Sequence, residues 1–158
     1  EGTRSNGEAV LAVSQILRTE SELPANDGFL AKLAPIIDRH FVHNSMEDIQ
    51  DSLRQAESGP TMEILNLLSG RSPTSLKVTL RHLKNCEART RFEEIQEQDY
   101  LLVQHFMAAP DLYEGIRAIL MDKDNAPLWS PDSLSGVGQA ILDGYFKPTG
   151  RSLSESLG

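Results

Sequence analysis

Three basic side chains have the spacing needed to form a phosphate-binding surface. Lys77, Arg81 and Lys84 recur at i, i+4 and i+7, which places them on one face of a helix. The segment around them, from Arg71 to Arg91, is basic, although the whole chain carries a net charge of −8. Positive charge with N–H donors binds the phosphates of a nucleotide-like ligand. The alternative, which the residues favour, is a solvated face that balances acidic neighbours.

Asp99 is the acidic side chain with the most unusual position. It shares helical spacing with Ile95 and Leu102, so its carboxylate falls on or beside an apolar stripe. A carboxylate on a buried face needs a cationic partner or several N–H donors. We predict a structural ion pair with Arg81 or Arg117 and favour it over a catalytic acid. Asp99→Ala is then expected to cost on the order of 3 kcal/mol.

Other side chains that could do chemistry do not combine into a site. His40 and His43 are three apart on a predicted helix and could share a metal, but no cysteine or carboxylate has matching spacing. The pair is therefore interpreted as surface histidines. His82 and His105 have no partner nucleophile that the sequence identifies, and Cys86 lies among mixed charges. The sequence predicts no catalytic residue, no metal site and no bound cofactor.

Composition narrows the class of protein. A chain of 158 residues fits one domain, and its net charge of −8 argues against nucleic-acid binding. Its one cysteine, Cys86, excludes an intrachain disulfide and mildly favours a reducing compartment. No apolar run approaches the ~20 residues that a membrane-spanning helix needs. We therefore expect a globular protein whose partners are neither nucleic acids nor membranes.

The elements that must position these side chains are helices. Apolar residues recur at helical spacing along most of the chain, and no two segments have the pattern of strands that could pair. We predict an all-α fold of about six to eight helices. Ser72 followed by Pro73 predicts one helix start, because serine caps a helix and proline is tolerated at its first position. Asp111 with Glu114 predicts another through a variant of the capping box.

Apolar stripes predict which face of each helix is buried. Leu76, Leu80 and Leu83 form an i, i+4, i+7 stripe on the helix that starts near Ser72. The next helix is expected from about residue 89 to residue 108, with Phe92 on its apolar face. Residues 8–147 are predicted to form one helical domain. Residues 1–7 are expected to be a disordered tail or residues introduced by cloning, and residues 148–158 a flexible tail.

Two separate segments resemble a known family. The first is Ser72-Pro73-Thr74-Ser75-Leu76-Lys77. The second is Glu114-Gly115-Ile116-Arg117-Ala118, followed by Asp122-Lys123 and by Pro127-Leu128-Trp129. The second segment is similar to a C-terminal signature of the crotonase (enoyl-CoA hydratase/isomerase) superfamily. The first narrows the resemblance to the 3-hydroxyisobutyryl-CoA hydrolase branch, and the likeness extends over residues 29–146.

The resemblance implies that the chain is the C-terminal helical region of such a protein, without its N-terminal spiral core of ββα turns. Full-length members cleave the thioester of 3-hydroxyisobutyryl-CoA, an intermediate of valine breakdown. Their catalytic carboxylates and oxyanion-hole N–H groups lie in that core, and no position of this sequence matches those motifs. The chain alone is therefore expected to be inactive. The resemblance implies Lys123 as a contact to the CoA nucleotide, with the Lys77, Arg81 and Lys84 face as a further candidate.

The implied partners are the absent core and, in the parent protein, an acyl-CoA. We expect an apolar patch that the core would cover, and through which the isolated chain would self-associate, at Met107, Leu112, Ile116, Leu128 and Trp129. The implied location is the mitochondrial matrix in a eukaryote and the cytoplasm in a bacterium. Two alternatives stay open. One is the same region of a non-catalytic family member that acts as a binding or ribosome-associated structural protein, and the other is an unrelated helical interaction module.

Overall fold

The computed structural model describes residues 6–20, 28–150 and 153. Their regular structure is helical throughout, which confirms the predicted all-α class. The α-helices are α1 (Asn6–Glu20), α2 (Phe29–His40), α3 (Met46–Gln55), α4 (Gly59–Ser69), α5 (Pro73–Glu87), α6 (Phe92–Ala108), α7 (Pro110–Ile116) and α8 (Gln139–Gly144). A π-helical turn, Arg117–Met121, continues α7, and a 3-10 turn spans Leu134–Gly136. No helix in this described part is long and apolar enough to cross a membrane.

The chain divides into two compact units, Glu1–Asp38 and Arg39–Gly158. This boundary falls inside the range 8–147, for which the sequence predicts one domain. In the first unit, α1 begins at Asn6, and residues 1–5 of the predicted tail lie outside the described residues. The apolar side chains Val10 and Leu17 of α1 are 64% and 65% exposed. Pro35 lies inside α2 without splitting it.

The core of the second unit forms where α3, α4 and α5 pack together. Ile49 and Leu53 of α3 are completely buried, and Val78 of α5 is 1% exposed. His40 is also buried, and its Nδ1 lies 2.7 Å from the hydroxyl of Ser52. The interpretation of His40 as a surface histidine was therefore wrong. A histidine ring can be buried once a hydrogen bond replaces the one it makes with water, and Ser52 provides that bond.

The start of α5 is as predicted, because Ser72 is the N-cap residue and its Oγ accepts a hydrogen bond from the Ser75 N–H at 3.1 Å. The inward face of α5 was predicted less well. Val78 is buried, whereas Leu83 is 59% exposed. The predicted apolar face of α6 included its first residue, Phe92. That side chain is 69% exposed, so the prediction extended the face too far towards the N-terminus of the helix. The buried faces of α5 and α6 therefore differ from the apolar stripes that residue spacing predicts.

Candidate functional site

Arg117 is the centre of a network of charged groups that organises the chain after α7. Its guanidinium forms a two-point contact with Glu114, with Nε–Oε2 and Nη2–Oε1 distances of 2.9 and 2.7 Å. The same side chain donates to Asp122 at 2.7 Å and to Asp124 at 2.6 Å. Glu114 in turn accepts the Leu128 N–H at 2.7 Å. One cation therefore holds three carboxylates and closes the loop from residue 122 to residue 128.

This network shifts the protonation equilibria of its members. The hydrogen bonds from Arg117, followed by the bond from the Leu128 N–H, lower the pKa of Glu114 to about 2. The Arg117 guanidinium lowers the pKa of Asp124 for the same reason. The three carboxylates raise the pKa of Arg117 in return, with Glu114 as the largest cause. Groups held this firmly in their charged forms make poor proton carriers at neutral pH.

The network predicts a pH dependence of stability. The folded-state pKa of Glu114 is about 2 and its ordinary value is 4.5, so the unfolded chain takes up this proton first as the pH falls. The stabilisation from Glu114 is thus complete above about pH 5 and is lost as the pH falls towards about 2. We expect the urea midpoint to decrease over this range. In Glu114→Gln, the midpoint should be lower at neutral pH and should change less between about pH 5 and pH 2.

Urea titrations followed by circular dichroism at a series of pH values measure this effect. Glu93→Gln is a matched control, because the Glu93 carboxylate is 74% exposed and lies 3.7 Å from Arg91. This control should keep the wild-type pH dependence. A Glu114→Gln variant whose midpoint falls as steeply as that of the wild-type chain would show that Glu114 does not stabilise the fold through its charge.

Gly115 and Trp129 explain why the loop returns to α7. A Cβ atom at Gly115 would lie 3.3 Å from the Trp129 ring, so the absence of a side chain lets the indole approach the helix. The Trp129 N–H donates to the Gly70 carbonyl at 3.2 Å. Within the loop, Lys123 and Asn125 have positive φ angles of 57° and 53°. The signature that spans these positions therefore has a clear structural role, since it fixes the path of the loop.

Asp111 joins three parts of the second unit. Its side chain is buried, its Oδ2 accepts a hydrogen bond from the Ser72 hydroxyl, and its Oδ1 accepts the Ser130 N–H at 3.0 Å. The predicted capping role of Asp111 was wrong, because α7 begins at Pro110 with Ala109 as its N-cap residue and without a side-chain cap. The carboxylate turns away from its own helix end because the Ser72 hydroxyl and the Ser130 N–H supply its donors.

An apolar groove of about 870 Å³ lies beside these two networks. We call it the Trp129 groove, and its walls include Leu76, Phe106, Met107, Ile116, Leu120 and Trp129. Of the five residues predicted to form an apolar patch, Met107, Leu112, Ile116 and Leu128 are 58%, 38%, 39% and 81% exposed, whereas Trp129 is partly buried. Exposed apolar surface of this kind is typical of an interaction site.

The three basic side chains of α5 all have partners within the second unit. Lys77 pairs with Glu47 at 2.6 Å and also donates to the Val137 carbonyl. Arg81 pairs with Asp143 at 2.5 Å and lies over the Phe146 ring, 4.5 Å from its centroid. Lys84 donates to the Asn44 side chain at 2.9 Å. The residues on this face therefore contact three different neighbouring segments rather than converging on one ligand position.

Lys123, the other candidate for a CoA contact, lies in the loop that Arg117 organises. Its side chain is exposed, and within residues 6–20, 28–150 and 153 it forms no ion pair. Of the four predicted contacts to CoA, Lys123 is thus the one that the described structure leaves free for a ligand.

The predicted ion pair of Asp99 with Arg81 or Arg117 was wrong. Asp99 Oδ1 lies 2.7 Å from His82 Nε2, and the Asp99 side chain is 47% exposed. Arg81 is the neighbour of His82 on α5, but it points about 100° further round the helix and reaches α8 instead. The predicted loss of 3 kcal/mol for Asp99→Ala assumed a buried carboxylate, and it is too large for a side chain that is half-exposed to water.

His82 also lies near a thiol that could in principle be a nucleophile, Cys86. Cys86 Sγ lies 3.8 Å from both ring nitrogens of His82, and the other contact of the ring is with Asp99. A sulfur equally distant from both nitrogens does not align with the lone pair of either one, as a hydrogen-bonded nucleophile would. Sequence reasoning missed this cluster, although the i, i+4 spacing of His82 and Cys86 on one helix was a signal for it.

Comparison with known proteins places this geometry in a family. A sequence model of the enoyl-CoA hydratase/isomerase family matches residues 3–146. The chain is 36% identical over 146 residues to the mitochondrial 3-hydroxyisobutyryl-CoA hydrolase of Homo sapiens. This alignment covers 92% of this chain and 38% of that protein. It is 41% identical over 110 residues to the mitochondrial 3-hydroxyisobutyryl-CoA hydrolase of Rattus norvegicus. This alignment covers 70% of this chain and 28% of that protein.

Solved structures agree with the sequence relatives. A carnitinyl-CoA dehydratase from Mycobacterium thermoresistibile matches with a TM-score of 0.79 and 29% identity, over 94% of this chain and 43% of that chain. An enoyl-CoA hydratase from Rhodobacter sphaeroides matches with a TM-score of 0.73 and 25% identity, over 91% of this chain and 43% of that chain. This chain therefore spans less than half the length of each of these relatives. It belongs to the enoyl-CoA hydratase/isomerase family.

Proposed function

We propose that this chain is the C-terminal helical part of a 3-hydroxyisobutyryl-CoA hydrolase-like protein. The whole protein would hydrolyse an acyl-CoA thioester in valine breakdown, and this part would support the catalytic core rather than carry the chemistry. The observation that carries the proposal is the 36% identity to the human 3-hydroxyisobutyryl-CoA hydrolase over 92% of this chain. Family membership also argues against an unrelated helical module.

The side chains of the second unit support a non-catalytic role for this part. Thioester hydrolysis needs a carboxylate or another base that can exchange a proton, and donors aimed at the developing oxyanion. The pKa of Glu114 is held at about 2 by Arg117, so this group does not act as a base near neutral pH. Asp111 is occupied by the Ser72 hydroxyl and the Ser130 N–H. Cys86 and His82 lack the alignment that a nucleophile and its base require.

We expect no hydrolysis of 3-hydroxyisobutyryl-CoA or of other acyl-CoAs by the purified chain. The direct test is a thioesterase assay of the chain alone and of a chimera, in which this chain replaces the matched region of the human hydrolase. The chimera should hydrolyse 3-hydroxyisobutyryl-CoA. Turnover by the chain alone that disappears in His82→Ala or Cys86→Ala would contradict the assignment of the chemistry to the missing part, while a folded but inactive chimera would contradict the proposal that this part supports a hydrolase core.

The contact to CoA follows from the same proposal. Lys123 is exposed on the loop that Arg117 organises, and we infer that it reaches a phosphate of the CoA nucleotide in the whole protein. Lys77 and Arg81 would have to leave Glu47 and Asp143 to do the same, so they are weaker candidates. Lys84 is intermediate, because its partner Asn44 is neutral. The proposed location is the mitochondrial matrix in a eukaryote, because the named relatives are mitochondrial, or the cytoplasm in a bacterium.

A further inference from the structure

A second cavity of the second unit, of about 670 Å³, is formed by the end of α5, one face of α6 and the segment that follows α8. We call it the Gln98 cavity, and its walls include Asn85, Glu94, Glu97, Gln98, Leu101 and Phe146. Four of these residues recur at i, i+3, i+4 and i+7 on α6, from Glu94 to Leu101, so they share one face of that helix. The volume is typical of a site for a small molecule.

Gln98 is the residue of this wall whose hydrogen bonding is incomplete. It is 7% exposed, and its Oε1 has no hydrogen-bond partner among the residues that the structure describes. A buried acceptor without a donor destabilises a protein, because it has lost its hydrogen bonds to water and gained none in return. A ligand that brings an N–H or O–H group to Gln98 would remove this penalty.

Apolar side chains complete the walls of the cavity. Leu101 lines it from α6, and Phe146 and Pro148 line it from the segment after α8. That segment is held against α6, because the Thr149 hydroxyl donates to the Gln104 side chain at 2.9 Å. The cavity therefore offers a fixed apolar surface beside the polar face of α6, as a site for a small organic molecule does.

The charges of the walls limit the kind of ligand. Among the described residues that line the cavity, Glu94 and Glu97 are two carboxylates and Arg89 is the one cation. Arg89 already lies 3.8 Å from Glu94. Glu97 accepts the Leu153 N–H at 2.9 Å, and a carboxylate has lone pairs for further donors. Two carboxylates and an unpartnered acceptor favour a cation with N–H groups over an anion.

We propose that the Gln98 cavity binds a small primary amine. The ammonium group has three N–H donors, which match the Gln98 Oε1 and the carboxylates of Glu94 and Glu97. The apolar body of the ligand lies along Leu101 and Phe146. This site is separate from the thioester chemistry of the whole protein and does not depend on the function proposed above.

Three compounds that carry the same phenyl ring test the head group: phenethylamine, which is protonated at neutral pH, phenethyl alcohol and phenylpropionate. Each is titrated into the purified chain and followed by proton–nitrogen correlation spectra. We expect phenethylamine to cause saturable shifts at the backbone amides of residues 94–101 and at the Gln98 side-chain amide. It should bind about tenfold more tightly than the alcohol, because its hydrogen bonds are charge-assisted, and phenylpropionate should bind most weakly.

Three results of these titrations would overturn the proposal. The first is the absence of a saturable shift at residues 94–101 with phenethylamine. The second is tighter binding of phenylpropionate, because Arg89 would then select an anion. The third is tighter binding of a lysine that is blocked at both backbone ends, because the ligand would then be a protein side chain rather than a free amine.

Gln98→Met separates a binding residue from a structural one. The substitution removes the unpartnered acceptor and keeps the size of the side chain, so the melting temperature of the free chain should rise by about 2–4 °C. The affinity for phenethylamine should fall about tenfold or more. Gln96→Met is the matched control, because Gln96 is on the same helix and does not line the cavity, and it should leave the affinity unchanged. Unchanged affinity in Gln98→Met, or a lower melting temperature, would overturn the proposal.

Glu94→Gln tests the charge of the site. It removes the negative charge and keeps an oxygen, so the affinity for phenethylamine should fall about threefold and the affinity for phenethyl alcohol should not change. Glu93→Gln is the matched control, because its carboxylate is 74% exposed and does not line the cavity, and it should change neither affinity. Equal affinity of the wild-type chain and Glu94→Gln for phenethylamine would contradict the assignment of an ammonium group to this site.

Discussion

An alanine in place of Asp111 is expected to lower the free energy of unfolding by about 3 kcal/mol. Asp111 is 7% exposed, and its carboxylate accepts hydrogen bonds from the Ser72 hydroxyl and the Ser130 N–H. Hydrogen bonds to a charged group contribute about 1.5–3 kcal/mol each, and their donors would lose that acceptor. Urea unfolding followed by circular dichroism measures the loss. Trp129 is the only tryptophan of the chain, and its emission should shift to longer wavelength as its anchor at Ser130 is released.

Two variants make this result specific. Asp111→Asn keeps one oxygen that can accept the Ser130 N–H, so it should lose about half as much stability as the alanine variant. Asp132→Ala removes a carboxylate from an exposed position two residues beyond Ser130, and should change stability by no more than about 0.5 kcal/mol. If Asp111→Ala were as stable as Asp132→Ala, the carboxylate would not connect α5, α7 and the segment after Trp129 in the way the structure indicates.

Leu53→Ala is expected to cost about 3 kcal/mol because it opens a cavity in the core of the second unit. Leu53 is completely buried on α3, next to the equally buried Ile49. Removing a fully buried leucine side chain loses both its transfer free energy and the contacts of the surrounding atoms. Chemical unfolding of the second unit, monitored by helical circular dichroism, measures this change.

Leu83→Ala is the matched control for the core prediction. It removes the same atoms from a helix position that is 59% exposed, so its effect should stay within about 0.5–1 kcal/mol. Equal losses for Leu53→Ala and Leu83→Ala would mean that α3 does not form the centre of the core in solution.

The signature from Glu114 to Trp129 shows how a family motif can be structural. Arg117 holds Glu114, Asp122 and Asp124, and Gly115 leaves room for the ring of Trp129. The motif therefore fixes the shape of the loop that carries Lys123 and one wall of the Trp129 groove. The charges of this motif pair with one another, so the motif acts on the rest of the second unit through the loop and the groove wall that it positions.

Local signals were sufficient where the physics is local. The start of α5 at Ser72 and Pro73 was predictable, because the capping bond to the Ser75 N–H spans only three residues. The start of α7, Pro110, lies one residue from the predicted Asp111. The predicted cause, a cap formed by the Asp111 side chain, was wrong. The Asp111 carboxylate finds better donors at Ser72 and Ser130, which are distant in sequence. Periodicity placed the stripe of α5 at Leu83 rather than Val78, since spacing does not reveal the direction from which another helix packs.

The sequence by itself determined that this protein is helical and that it resembles the 3-hydroxyisobutyryl-CoA hydrolases. Both conclusions depend on patterns among residues that are close together in the sequence. Only the tertiary structure decided which charges meet. Asp99 pairs with His82 rather than with Arg81, and Arg81 reaches Asp143, because the rotation of α5 about its axis directs neighbouring side chains to different helices. A rotation of this kind depends on packing summed over the whole core, and no local pattern encodes it.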